Sequence, residues 1–310
     1  MDRVLFVPSV AQTEWLHEIL PEVSPLMLPV AGRHFFDYAM EAAQKSGFRL
    51  AGTLDWQDDQ NAEDLAPTAN DGLPCIRKRC TGPLPRGLND LDRIASPFTG
   101  PVLDGLVVVW GLCLTGHMPK TLKMEPIPPA AYAETPPGIY CREGGHWMCM
   151  RPQGLSRRNV HGWYRMNFAI LDNTELFTLP GYSSEANVHI GRNVGLERGV
   201  KVVPPVIIQS NTWCARNVQL DGNVIIGTGS FVGEGAHLER SIVGENTYVG
   251  AGLDLVDKIV IGRRIIDGIT GTWVDMDEPG VAHGIGGVGY FGWLRPFLRF
   301  LYGTSRGRRD

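Results

Sequence analysis

Proton transfer near neutral pH is most often entrusted to histidine. Two of the eight histidines in this 310-residue chain, His189 and His237, stand inside its most regular stretch. Either could act as a general base on a hydroxyl or amine. Both also occupy ordinary spacings between aliphatic residues, at positions expected to face outward, and a hydrated surface imidazole is the reading the sequence favours. A second group, Cys141, His146 and Cys149 with Cys113 or His117 as a fourth ligand, has the donor types zinc prefers. The six cysteines contain no C-x-x-C, and Cys214 sits where a small hydrophobe belongs. Reduced thiols and no metal site are the expectation. The third group is GYFGWLRPFLRFLYGTSRGRRD at the end of the chain. There Tyr290, Trp293 and Phe297 share a helical face with Leu294, Leu298 and Leu301, while Arg295 and Arg299 lie elsewhere. Such a segment either covers an exposed end of the fold or docks on a membrane surface or a protein partner.

What positions the two histidines is a six-residue repeat. From Ile190, steps of six land on Leu196, Val202, Ile208, Cys214, Leu220, Ile226, Val232 and Leu238. The phase then slips by one residue and resumes at Val243, Val249, Leu255 and Ile261. Small or β-branched residues stand two positions earlier, and glycine often follows directly, as at Gly191, Gly227, Gly233 and Gly250. Neither a helix nor a flat strand has this period. The pattern resembles the hexapeptide repeat of left-handed parallel β-helices, in which three hexads close a triangular coil. It implies about four coils, inward-facing aliphatics, corners eased by Gly or Asn at positive φ, and a slip that falls at a corner.

The totals exclude other classes. A formal net charge of −4 gives no drive toward nucleic acid, and 43% hydrophobic content excludes a disordered chain. No apolar run is long enough to span a membrane, and MDRVLFVPSV is too short and lightly charged for a secretory signal. A cytoplasmic protein is expected, peripheral at the inner face of the membrane if the tail docks there, with a protein partner or a homo-oligomer.

The first half reads as α/β. Residues 4–8 form a buried strand, 35–46 a helix stopped by Gly47, RLAGTLDW a strand, 88–95 a short helix and 105–111 a central strand. The segment LPVAGRHFFDYAMEA at 28–42 resembles the L-P-V-A-G-K-P segment and following helix of sugar-phosphate nucleotidyltransferases, which commonly append a left-handed β-helix. The implied architecture is an α/β nucleotidyltransferase-like (Rossmann-like) domain over 1–180 and an all-β left-handed parallel β-helix over 181–268. A glycine-rich link and amphipathic basic tail complete it over 269–310.

Joining a nucleoside triphosphate to a sugar 1-phosphate needs a phosphate cradle, a cation and carboxylates for Mg²⁺. In the family the cradle is G-x-G-T-R; here Ser9 to Glu14, including Gln12, supply neither glycine nor arginine. The family's lysine falls on Pro25, its metal-binding aspartate on Leu112, and its second acidic ligand near Met166. Arg33 stands where the family has a lysine, which leaves Gln12 and Arg33 as candidate ligand-binding residues. The leading expectation is therefore a non-catalytic homologue, a scaffold or regulatory subunit in polysaccharide or glycoconjugate synthesis, with no cofactor. An active nucleotidyltransferase with divergent motifs, using Mg²⁺, is the alternative, and a hexapeptide-repeat acyltransferase the third. For the tail, docking predicts that the chain sediments with anionic liposomes and that removing residues 289–310 abolishes this; unchanged sedimentation excludes the tail as the anchor.

Overall fold

A computed structural model describes residues 2–7, 15–16, 18–20, 23, 25–56, 73–80, 85–94, 105–111, 113–114, 124–127, 135, 138–150, 155–156, 159–185, 187–278 and 280–285. The chain divides into two compact units, Met1–Leu179 and Pro180–Asp310.

Unit one is built on a seven-stranded mixed sheet. Its strands are β1 (Arg3–Val7), β4 (Leu50–Trp56), β5 (Cys75–Cys80), β6 (Leu106–Trp110), β8 (Met124–Pro126), β9 (Gly138–Glu143) and β10 (His146–Met150). Two further pairs lie outside it: β2 (Pro29–Val30) with β3 (Arg33–His34), and β7 (Cys113–Leu114) with β11 (Leu155–Ser156). The sheet order is β5-β4-β1-β6-β9-β10-β8, parallel from β5 to β6 and antiparallel beyond. LVVVW of β6 is buried at every position, as a central strand covered on both faces must be. On one face Leu5, Val7, Val108, Trp110 and Tyr140 pack with Leu88 and Leu91 of helix α2 (Leu88–Ile94). Phe6 points the other way, edge-on to Phe36 of α1 (Phe35–Lys45) at 5.7 Å. Helix α1 ends at Ser46, followed by Gly47 at φ 71°. Helix α3 (Val160–Leu171) starts at Asn159, whose side chain accepts from the Gly162 N–H at 2.8 Å.

Unit two is a β-solenoid of about four coils, preceded by β12 (Tyr182–Glu185), which pairs antiparallel with the first coil strand. Coil one holds β13 (Val188–Ile190), β14 (Gly195–Leu196) and β15 (Lys201–Val203). Coil two holds β16 (Val206–Ile208), β17 (Trp213–Cys214) and β18 (Gln219–Asp221). Coil three holds β19 (Val224–Ile226), β20 (Phe231–Val232) and β21 (His237–Glu239). Coil four holds β22 (Ile242–Val243), β23 (Thr247–Val249) and β24 (Asp254–Val256), after which β25 (Lys258–Ile261) begins again. Corresponding strands stack in parallel into three faces. Ile208, Cys214, Leu220, Ile226, Val232, Leu238, Val243, Val249 and Leu255 meet in one interior column. Thr212, Ser230, Ser241 and Thr247 are also buried there, and the first three bond their hydroxyls to the carbonyls of Gly227, Gly244 and Leu255.

The one-residue slip before Val243 falls at a corner, and a second slip, at the Asp257 corner (φ 55°), corrects the hexad reading: Val260, opposite Val243, is the inward residue of β25 and Ile261 is not. Gly222 and Asn223 turn coil two into coil three, whereas Arg240 alone, at φ 43°, makes the next turn. Corners do use asparagine at positive φ, at Asn193, Asn211, Asn217, Asn223 and Asn246. The glycines that follow the inward residues serve another need. A Cβ on Gly191 would stand 2.4 Å from the Ser210 backbone nitrogen, so the side chain is excluded by the adjacent coil.

Part of the stretch beyond 268, read from sequence as a glycine-rich link, is strand. β26 (Arg264–Asp267) and β27 (Trp273–Asp275) continue the first face antiparallel, and β28 (Ala282–Gly284) adds antiparallel to β23. Ala282, Ile265 and Met276 pack on the last inward residues and close that end of the coil.

Leu238→Ala should cost about 2–5 kcal/mol of unit-two stability in a denaturant titration, because its cavity is enclosed on all sides. Leu196→Ala, at a site 41% exposed in the first coil, should stay below about 1 kcal/mol.

Candidate functional site

In an open α/β sheet a ligand gathers where strand order reverses, beyond the carboxyl ends of the strands. Here the chain runs from β1 outward to β4 and β5, then returns to place β6 on the other side of β1. The switch point is the β1/β6 boundary, where the Gly111 N–H bonds the Val7 carbonyl at 2.7 Å. Gln12 and Leu112, in the segments that leave these two strands, lie outside the described residues, as do Tyr290, Trp293, Arg295, Phe297 and Arg299 of the tail.

His117 also lies outside the described residues; the other candidate positions in this unit are placed. Pro25 is buried and opens a single 3-10 turn, Pro25–Met27, that leads into the β2–β3 hairpin. Met166 is buried on α3 and presents a thioether to the core, with no oxygen for a hard cation. The neighbouring residue, Asn167, is the polar group that matters structurally. Its Oδ1 accepts from the Ala31 N–H at 2.7 Å and its Nδ2 donates to the Trp163 carbonyl at 2.8 Å. Trp163 Nε1 donates in turn to the Pro29 carbonyl at 2.7 Å. Two side chains of α3 therefore clamp the turn of the hairpin, where Ala31 is held at φ 43° without being glycine.

Arg33, the candidate cation, is occupied within the fold. Its guanidinium bonds Glu41 at 2.6 Å and the Thr178 carbonyl at 2.9 Å and lies 4.7 Å from the Tyr38 ring. Burial works against the Glu41 charge, but hydrogen bonds from Lys45, Thr178 and Arg33 hold its carboxyl down at about 2. Burial likewise pushes the Tyr38 phenol above its ordinary range, with the Arg33 charge opposing. The cation is thus used to join α1 to the segment at Thr178.

The cysteine group does not converge. Cys141 and Met148 are directly opposed on β9 and β10, so Cys149, next along β10, projects from the other face of the sheet. Among the described residues no three His, Cys, Asp or Glu side chains are placed to hold a metal. Burial, with the Cys149 thiol adding to it, pushes Cys113 up to about 12, a thiol and not a thiolate at neutral pH.

On the solenoid, His237 has both ring nitrogens engaged. Nδ1 meets Asp254 at 2.8 Å and Nε2 meets Asp221 at 3.1 Å, so one imidazole bridges three successive coils. The Asp254 bond leads in raising its pKa, with partial burial opposing and Asp221 adding. With both ring nitrogens held by carboxylates, His237 is poorly placed to take a proton from a substrate. His189 lies on the adjoining face, its pKa lowered by burial.

The inward-facing pattern hid one outward feature. Gly195, Trp213, Phe231, Tyr248 and His283 are in register on the second face. Phe231 stacks on Tyr248 at 5.5 Å, and Tyr248 on His283 at 4.6 Å. Gly195 gives Trp213 its room, since a Cβ there would stand 2.0 Å from the indole. The signal was present as aromatic residues one position before the inward ones, at steps of 18 and 17.

No family model matches the chain. Over 99 residues it is 31% identical to a UTP–glucose-1-phosphate uridylyltransferase of Synechocystis sp.. The match is to a sugar-phosphate nucleotidyltransferase. It covers 32% of this chain and only 25% of that relative, so the chain spans a quarter of the length of the curated protein it matches. With the mixed sheet and the solenoid, this makes the chain weakly similar to that class. Among the described residues no helix is long and apolar enough to cross a membrane.

The His237 bridge has a signed pH dependence. Its folded pKa is raised, so its contribution is fully present below about pH 6.5 and is lost as pH rises through the folded value. Denaturant midpoints of unit two, followed across that window in the native chain and in His237→Asn, should converge at alkaline pH and separate in acid, with the variant the less stable.

Proposed function

We propose that the chain is a nucleotidyltransferase homologue that does not carry out nucleotidyl transfer and acts as a scaffold or regulatory subunit in polysaccharide or glycoconjugate synthesis. The observation that carries this reading is the environment of Pro25. Where the resemblance calls for a cation facing a triphosphate, the chain buries a proline without an N–H or a charge. Met166, near the position of the second acidic ligand, is equally buried and cannot coordinate Mg²⁺. The residues at these two positions do not fit the metal or the triphosphate charge. Arg33, a cation close to the hairpin, is paired with Glu41. Each preorganised electrostatic group removed from such a site costs about 10²–10³-fold in rate.

The pathway is proposed from the family resemblance alone, and the similarity to the uridylyltransferase supports the second reading, an active enzyme with its own arrangement of charges. For acyl transfer, the doubly bonded ring of His237 leaves His189 as the candidate base.

The assay is pyrophosphate release from UTP and glucose 1-phosphate, repeated with the other nucleoside triphosphates and sugar 1-phosphates, in the presence of Mg²⁺. The full-length chain should release no more pyrophosphate than a blank without protein. Turnover that saturates with both substrates establishes the active enzyme and ends the scaffold reading.

A further inference from the structure

The first face of the solenoid ends in β27, the outermost strand of the order β12-β13-β16-β19-β22-β25-β26-β27. All three of its residues are exposed, on both sides of the strand: Trp273 is 40% and Val274 54% accessible, and Ile269 in the preceding turn is 52% accessible. Antiparallel hydrogen bonds alternate along a strand. The Met276 N–H bonds the Arg263 carbonyl at 2.7 Å and the Asp267 N–H bonds the Thr272 carbonyl at 2.8 Å. Thr272, Val274 and Met276 therefore turn their main-chain groups toward β26, while Trp273 and Asp275 turn theirs to the open edge. Among the described residues no main-chain partner meets them there. The strand carries no lysine, proline or bulge, the usual devices that keep an edge from pairing.

We propose that β27 pairs antiparallel with β27 of a second copy of this chain, about a twofold axis through Val274, joining the two first faces into one continuous sheet. The edge is complementary to itself in this register. Trp273 comes opposite the partner's Asp275, and the outward N–H and C=O groups of both are satisfied twice over by symmetry. On one side of the sheet Ile265, which faces Val274 across the hairpin, forms an unbroken aliphatic row with Val274 and the same two residues of the partner. On the other side no charge is left alone. Arg264 holds Asp275 through two bonds of 2.7 and 2.9 Å and lies 5.6 Å from the Trp273 ring, so each copy brings its carboxylate already neutralised. Asp277, with a side chain 96% exposed, stands three residues from the axis. The two copies of that charge are then about 20 Å apart at 3.4 Å per residue, beyond the screening length of roughly 8 Å.

The test uses the full chain. In this register Val274 and its copy form a non-hydrogen-bonded pair with Cα atoms about 4.5 Å apart, inside the range of about 4.4–6.8 Å that a disulfide needs. Val274→Cys should give a covalent dimer as the main product of mild oxidation, under conditions where the native chain, with its own cysteines, gives none. In sedimentation equilibrium at high micromolar concentration the native chain should carry at least twice the monomer mass. Val274→Lys, which sets two ammonium groups against each other on the axis, should halve the mass of the assembly while leaving the far-ultraviolet circular dichroism unchanged. A native chain that remains a monomer overturns the proposal. So does an oligomer that Val274→Lys leaves intact and Val274→Cys fails to cross-link, because such an assembly uses another surface.

Discussion

A coil of three short strands cannot bury its own inward side chains; only the coil above and the coil below exclude water from them. That stacking is the constraint from which the second unit follows. Leu220, Leu238 and Leu255 occupy one line because each roofs the one before it. The Thr212, Ser230 and Ser241 hydroxyls can sit in this dry interior only because a carbonyl is presented to each at a fixed height. Gly191 must lack a side chain because the next backbone passes where its Cβ would be. Stacking also fixes what faces outward. Residues one strand apart are brought into columns whether or not they do anything for the interior, and this produces the ring column ending at His283 and the carboxylate–imidazole bridge at His237.

The first unit shows the opposite economy of space. Its sheet has the parallel arrangement and the strand reversal that would place a ligand at the ends of β1 and β6. The β2–β3 hairpin is held by side chains that have no need of a ligand. Asn167 satisfies the Ala31 N–H, Trp163 the Pro29 carbonyl, and Tyr38 donates to the Ala31 carbonyl at 3.3 Å. A left-handed alanine is costly by about 1–3 kcal/mol, and here three bonds on three consecutive peptide units keep it in place. The cation of this region is likewise fixed, between the Glu41 carboxylate and the Tyr38 ring.

How much of this could be read in advance depended on whether a residue's role repeats. The coil interior was legible from Ile208 to Leu255 because every sixth position must be aliphatic, and the slip could be assigned to a corner because elsewhere it would have turned the inward face out; Ile261 was misplaced because a second slip, at Asp257, puts Val260 inward. The outward columns were not legible by the same route: Trp213, Phe231 and Tyr248 answer to neighbours 17 or 18 residues away, a spacing that local pattern does not weigh. β26, β27 and β28 were missed because they run antiparallel and leave the hexad rule altogether. In the first unit β1, β4, β6 and α1 followed from apolar runs and a glycine stop, whereas β5, β8, β9 and β10 were not read as strands. The pairing of Arg33 with Glu41 did not, since the hairpin that precedes the helix decides which way the guanidinium turns. The roles assigned to Pro25 and Met166 came from resemblance alone, and their burial is what gives those positions a physical content.

The two ends of the stacked coils are not equivalent, and the difference follows from strand direction. A parallel stack ending in an unsatisfied coil offers its last strands and its open interior to any further coil. At the later end the interior is covered and the last strands of the first and second faces are followed by reversed ones, while among the described residues β24 remains the outer strand of the third. β25 turns back through β26, β28 reverses onto β23, and Ile265, Met276 and Ala282 fold over the interior they would otherwise leave open. Reversal moves the free edge sideways, onto β27, where the exposed residues are Trp273 and Val274. Reversal on the first face therefore leaves β27 as its outer strand, in place of a parallel strand onto which a further coil could stack.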